Sequence, residues 1–364
     1  MKLVTARDDL SRALDKVELA LSSKIDTYRQ IHMEVVSDMG VRWAIFTGTN
    51  STTTIKTALG LGDVEADDGF KILLPPETTR AVRTLPDGDV TVTADIGFVE
   101  LKSEHGPKFK LRYGDASSYP EISFRKRVDF TLPKNWLSQI IGYLGAIPKA
   151  ELVAFENGTE NGQIVTTDGF RIGVIDSGVV FEFDEPVVIP TAIFRQAEKV
   201  LTGSGDVQVI VERNRVTLRQ GMNAISTMRS AKKFPSYKTI LEADDTKDGW
   251  VFTTNKSALL AACDRAQVLT GAALPMRLKL EGSTRADVLA SRTEVGDSEE
   301  HISGTWPGLP LTIGLNVDLF RPVIQSLTGD EVQLRFSEPR TMFRISSPKD
   351  PNVRFIMMPV RLPE

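Results

Sequence analysis

The 364-residue chain contains one cysteine, three histidines and four tryptophans. A lone Cys263 forms no intrachain disulfide, which points to a reducing compartment. His32, His105 and His301 stand far apart, and neither H-x3-5-H nor C-x2-C spacing occurs, so the usual sequence signs of a metal centre are missing. No apolar run approaches the ~20 residues that span a bilayer. The opening Met1-Lys2-Leu3-Val4 has no signal-peptide core. The expectation is a cytoplasmic chain with no membrane partner. A Walker A loop, a helix-opening G-x-G-x-x-G and G-x-S-x-G are also absent, which leaves nucleotide binding and serine-hydrolase chemistry without support. Charge of one sign is not in excess, since 44 Lys and Arg face 48 Asp and Glu. The net charge of −4 argues against a uniformly basic nucleic-acid binder but allows positive charge gathered on one face.

With 41% hydrophobic and 25% charged residues, the composition is that of an ordinary globular protein and excludes a largely disordered chain. Three acidic segments, Glu65-Ala66-Asp67-Asp68, Asp244-Asp245 and Asp297-Ser298-Glu299-Glu300, could hold Mg2+ or do acid–base work. Their Gly-containing, loop-like settings favour solvated turns instead. A metal-dependent hydrolase is therefore a distant reading, and the expectation is a protein with neither catalysis nor a cofactor.

What the sequence does contain is a pattern that occurs three times. Leu10, Ala13, Leu14, Val17 and Leu21 fall on one face of a helix. Leu137, Ile140, Ile141, Leu144 and Ile147 repeat the stripe, as do Leu259, Ala262, Cys263, Ala266 and Leu269, at separations of 127 and 122 residues. Cys263 on such a stripe reads as a buried, inert thiol. A second helix is predicted in each third, over Pro76–Leu85, Thr191–Leu201 and Val317–Leu327. Each is followed by Gly-Asp (Gly88-Asp89, Gly205-Asp206, Gly329-Asp330) and then by period-two alternation, which predicts a strand. Partner strands follow at Val99–Leu101, Val216–Leu218 and Met342–Ile345, and each third ends in a proline: Tyr119-Pro120, Phe234-Pro235 and Met358-Pro359. The polar stretches Ser123–Arg127 and Glu242–Gly249 read as exposed linkers. The division is into three alike α+β domains, 1–123, 124–247 and 248–364, with strands outnumbering helices.

Two segments carry a resemblance. Val165-Thr166-Thr167-Asp168-Gly169-Phe170-Arg171-Ile172-Gly173 and the tail Arg354-Phe355-Ile356-Met357-Met358-Pro359-Val360-Arg361-Leu362 appear together with Phe234-Pro235-Ser236-Tyr237 and the threefold repeat. This combination resembles the bacterial DNA polymerase III beta subunit family, the sliding clamps, over essentially the whole chain. The resemblance implies a fold of three DNA-clamp domains with helices inside and antiparallel sheets outside, closed into a ring by a head-to-tail homodimer. It implies a processivity factor that encircles double-stranded DNA regardless of sequence. It also implies a pocket between the second and third domains that takes short apolar peptides from DNA polymerase, clamp loader and repair proteins.

Carried over by position, the pocket would be walled by Thr167, Gly169, Phe170, Arg171, Ile172, Pro235, Ile240, Ile356, Met357, Met358, Pro359, Val360 and Arg361. Methionines and small residues suit a pocket that accepts several apolar anchors. Arg83 would face DNA, with Lys24 and Lys149 in nearby loops, and the second helices of the three thirds carry an excess of two positive charges. The chain departs from the family at Thr191 and Ala192, where a basic pair is common, at Thr239 and Ala150 near the pocket, and in the proline-free Lys24–Arg29 loop. These departures fit an auxiliary or mobile-element clamp as well as a divergent chromosomal one, and also a clamp-fold scaffold that has lost DNA.

Overall fold

The computed structural model describes all residues except 23, 39, 63, 105, 121, 123–126, 134, 247, 272–273 and 363–364. His105 and most of the Ser123–Arg127 stretch therefore lie outside the described residues. Seven α-helices are present among those described: α1 (Arg7–Glu18), α2 (Glu77–Thr84), α3 (Trp136–Leu144), α4 (Ala192–Val200), α5 (Lys238–Thr246), α6 (Lys256–Thr270) and α7 (Val317–Ser326). No helix among them is long and apolar enough to cross a membrane.

Each apolar stripe becomes the buried face of a helix. Leu10, Ala13, Leu14 and Val17 are buried on α1, Leu137, Ile140 and Leu144 on α3, and Leu259, Ala262, Cys263 and Ala266 on α6. Burying each larger side chain contributes about 1.5–3 kcal/mol, which outweighs the modest intrinsic propensity of such short helices. The Asn255 and Asn316 side chains cap α6 and α7, accepting from the backbone N–H of Ala258 (3.1 Å) and Leu319 (3.3 Å). Such caps typically stabilise by about 1 kcal/mol each. Gly88 and Gly329, which follow α2 and α7, have φ of +120° and +79°, a region that favours glycine.

The strands are antiparallel throughout and fall into three sheets. A five-stranded sheet has the order Val64–Glu65, Lys2–Ala6, Asp89–Asp95, Phe98–Ser103, Lys108–Arg112. An eight-stranded sheet runs Phe130–Leu132, Val207–Val211, Arg215–Gln220, Asn223–Met228, Thr53–Leu61, Val41–Thr49, Ile31–Asp38, Lys71–Leu74. A twelve-stranded sheet runs Val187–Pro190, Leu152–Asn157, Gly162–Thr167, Arg171–Asp176, Val353–Met357, Phe343–Ser346, Glu331–Phe336, Trp250–Asn255, Gly296–Thr305, Arg285–Arg292, Met276–Leu280, Leu311–Leu315. The chain forms two compact units, Met1–Leu137 with Ala192–Arg229, and Ser138–Thr191 with Ser230–Glu364. The first holds the five- and eight-stranded sheets, and the second holds the twelve-stranded sheet.

Two sequence expectations are corrected here. The Glu242–Gly249 stretch is not simply an exposed linker, because α5 continues through Thr246. Leu241 is buried, and Asp244 lies 2.5 Å from the Arg344 guanidinium while Asp245 pairs with Arg354 at 2.6 Å. Asp297–Glu300, expected in a turn, lie within the Gly296–Thr305 strand.

Candidate functional site

In the second unit, the Gly162–Thr167 and Arg171–Asp176 strands are joined by a turn that the sequence builds from its own side chains. Gly169 has φ of +87°. The Asp168 Oδ1 accepts from the backbone N–H of Phe170 (3.1 Å) and Arg171 (3.0 Å). The Thr167 hydroxyl donates to the Arg171 carbonyl (2.7 Å) and accepts from Gly169 N–H (3.1 Å). The Arg171 guanidinium turns inward, bonding the Asp168 carboxylate at 2.6 Å and donating to the carbonyls of Ala146 and Leu319, both at 2.8 Å. Arg171 is thus a buried brace that shapes the wall from behind rather than presenting its charge. Phe170 is left 63% exposed at the tip.

Val353–Met357 pairs with Arg171–Asp176 on one side and Phe343–Ser346 on the other, so it is an interior strand and not an edge. Ile356 and Met357 are buried, whereas Met358 is 46% exposed. The ladder ends here because Pro359 has no N–H to donate. Met358 N–H donates instead to the Phe170 carbonyl (3.2 Å), and Val360 N–H to the Gly314 carbonyl (2.8 Å), which lays the tail along the surface.

Ile172 and Ile356 join Val165, Val174, Tyr237 and Leu241 in one apolar cluster, with Phe234, Ile240 and Met342 packed against it. Phe234 and Tyr237 meet edge to face at 5.7 Å, and burial together with a hydrogen bond to Glu156 holds the Tyr237 hydroxyl well above its ordinary pKa. Pro235 is exposed beside them.

Two cavities open next to Met358. One, of about 180 Å3, is lined by Phe336, Thr341, Met342 and Met358 together with Asp244, Asp248, Arg335 and Arg340. The other, of about 590 Å3, is lined by Arg340, Met358, Pro359, Val360, Arg361 and Leu362 with Thr312, Gly314 and Pro339. Most of the residues expected as pocket walls therefore come together in one region, with Met358 common to both cavities. Sequence reasoning missed Phe336, Arg340, Thr341 and Met342. The available cue was register: Phe343 pairs with Met357, so Met342 and Met358 leave the same ladder side by side.

The cations expected to meet DNA behave differently from one another. Lys24 and Lys149 are exposed. Arg83 on α2 is engaged by α1, its Nε 3.0 Å from Asp15 and its Nη2 2.6 Å from Glu18, and these bonds hold its pKa above the ordinary value. The repeat carries the same device in its last third, where Arg321 on α7 bonds Asp264 on α6 at 2.5 Å. Asp15 and Asp264 each stand ninth in their helices.

Cys263 is buried, and burial pushes its thiol pKa up to about 12, as expected of an inert core residue. Among the described residues, Asp287, Glu299 and His301 bring possible metal-ligating atoms within 4.8 Å of one another. Asp287 and His301 are directly opposed on neighbouring strands and joined at 2.7 Å, an arrangement that linear spacing does not reveal. Lys279 lies close enough for the Asp287 and Glu299 charges to help raise its pKa, after the larger effect of its bond to Glu281, so this acidic face already has a cation.

Residues 246–361 match the family described as DNA polymerase III beta subunit, C-terminal domain. Over its whole length the chain is similar to proteins named beta sliding clamp. Identity is 26% over 379 residues with that of Haemophilus influenzae and 24% over 385 residues with that of Caulobacter vibrioides, covering 100% of each chain. Among solved structures, the DNA polymerase sliding clamp of Pseudomonas aeruginosa superimposes with a TM-score of 0.85 at 18% identity, again covering 100% of both chains. Residues 246–361 thus belong to the C-terminal domain family of the DNA polymerase III beta subunit, and the whole chain is a divergent relative of the bacterial beta sliding clamps.

Proposed function

We propose that the chain is a homodimeric DNA sliding clamp, a non-catalytic processivity factor that encircles duplex DNA and tethers a polymerase to it. The observation that carries this reading is the similarity to beta sliding clamps along the full length of both chains, in sequence and in fold. The threefold order of helix, helix and hairpin supports division into clamp domains 1–123, 124–247 and 248–364. Topological tethering needs no tight contact, so a net charge of −4 is compatible with it.

Two sheet edges support head-to-tail closure. The Lys108–Arg112 strand ends its sheet and exposes Lys108, Lys110 and Arg112. The Gly296–Thr305 strand pairs with Arg285–Arg292 along one edge, but with Trp250–Asn255 only at Gly304 and Thr305. Among the described residues its other edge is open over most of its length, and Asp297 and Glu299 are exposed there. Unpaired edges of opposite charge in two copies can continue one sheet across an interface, and such an interface closes when the rotation completes a circle.

The groove beside Met358 then serves as the docking site for polymerase, clamp loader and repair proteins, each through a short apolar peptide. Thr167, Gly169 and Phe170 form its hairpin lip, Ile172, Ile240 and Ile356 its apolar floor, and Met358 to Arg361 its tail wall. Primer extension on a long circular template, with the host's replicative polymerase and clamp loader, tests the function. Product length should rise sharply when the chain is added, and unchanged lengths would contradict the proposal. A clamp-fold scaffold that no longer holds DNA is the second reading, favoured by the pairing of Arg83 with Asp15 and Glu18.

A further inference from the structure

The two cavities beside Met358 differ in charge, and Arg340 is the other side chain that both share. The smaller is walled by Phe336, Met342 and Met358, and suits one apolar side chain. The larger is lined by two guanidinium groups, Arg340 and Arg361, both exposed, and by no acidic side chain. In the smaller cavity the Asp244 carboxylate is already bound by Arg344 at 2.5 Å. Positive charge is therefore concentrated at one end of the groove, around Arg340.

We propose that Arg340 is a specificity-determining residue of the groove, selecting peptides whose apolar anchor is accompanied by an Asp or Glu side chain within about three residues, the reach of ~10 Å of extended chain. This inference rests on the reading of the groove as a peptide site. A peptide with its anchor in the smaller cavity lays its neighbouring residues over the larger one, because the two adjoin at Met358. A carboxylate there meets two guanidinium groups with no competing acid on the lining, whereas a lysine meets like charge. The guanidinium groups are exposed, so the gain is moderate and screened by salt, about fivefold in affinity at low ionic strength.

The test uses the full chain and fluorescent, end-blocked peptides of the Gln-Leu-x-Leu-Phe type. Asp is placed two residues to either side of the apolar anchor, and each peptide has an Asn counterpart. On at least one flank the Asp peptide should bind about fivefold more tightly, and the difference should shrink at high salt. The Asp-to-Asn ratio should fall toward one in Arg340→Gln and persist in Arg340→Lys, with melting curves showing that both variants fold. Equal binding of Asp and Asn peptides by the parent leaves the peptide site standing and overturns the inference. A preference that survives in a folded Arg340→Gln also overturns it. If neither peptide binds, as when a second copy of the chain covers this face, the peptide-site reading falls and the inference falls with it.

Discussion

Removing the Arg171 side chain leaves the Asp168 carboxylate, only 4% exposed, without its guanidinium partner. Breaking one side of such a pair typically costs about 3–5 kcal/mol. Arg171→Ala is therefore expected to lower the stability measured by denaturant unfolding by that much, with peptide affinity falling as a consequence of a loosened hairpin. A variant as stable as the parent would contradict the brace. Met358 gives the opposite separation of effects. Being 46% exposed, it should tolerate Asp with little change in melting temperature. The new charge would sit in an apolar cavity, and peptide affinity should drop about tenfold or more. Undiminished binding, measured by anisotropy, would place the peptide elsewhere. The sequence motif identified both residues but not which way their side chains face, because for Arg171 that depends on the carbonyls of Ala146 and Leu319, far along the chain.

The arginines of α2 and α7 are held by carboxylates of α1 and α6, so the paired helices carry less available positive charge than a count of cations implies. If α2 faces DNA, Asp15→Asn combined with Glu18→Gln should release Arg83 and strengthen retention on duplex at low salt. The slope of log K against log salt should steepen by about one phosphate contact, and adding Arg83→Ala should reverse it. No change in salt dependence would place Arg83 away from DNA.

At this scale the sequence was most informative where a segment carries its own period. The predicted second helices agree with α2, α4 and α7 to within a residue at each end. Helix α5 was hidden because Glu242-Ala243-Asp244-Asp245 has a polar composition, and its stabilising partners Arg344 and Arg354 lie about a hundred residues away. The Asp287–His301 pair was hidden for the same reason, since it exists only once two strands are in register.

Over the whole molecule, the threefold order was legible because each copy repeats its helices, turns and alternating strands at nearly the same spacing. The joining of repeats into continuous sheets was not. Asn223–Met228 pairs with Thr53–Leu61, and Arg171–Asp176 with Val353–Met357, through backbone bonds that leave little trace in side-chain pattern. The same backbone logic applies at the open edges. Lys110→Glu should weaken the homodimer about fivefold by sedimentation, as reversal of one exposed charge at an interface would. Pairing it with Glu299→Lys should restore part of the loss. A dimer indifferent to both changes would reject this edge pairing.

The measurement that bears most directly on the central claim is retention on closed circular DNA. Labelled protein is loaded onto a circle carrying one restriction site, freed from unbound protein, and followed while the circle is cut. A ring held by topology should persist on the intact circle, leave when an end appears, and stay if that end is blocked by a bound protein. Loss from the intact circle at the same rate as from the cut one would mean that the chain does not encircle DNA, and the sliding-clamp account would fail.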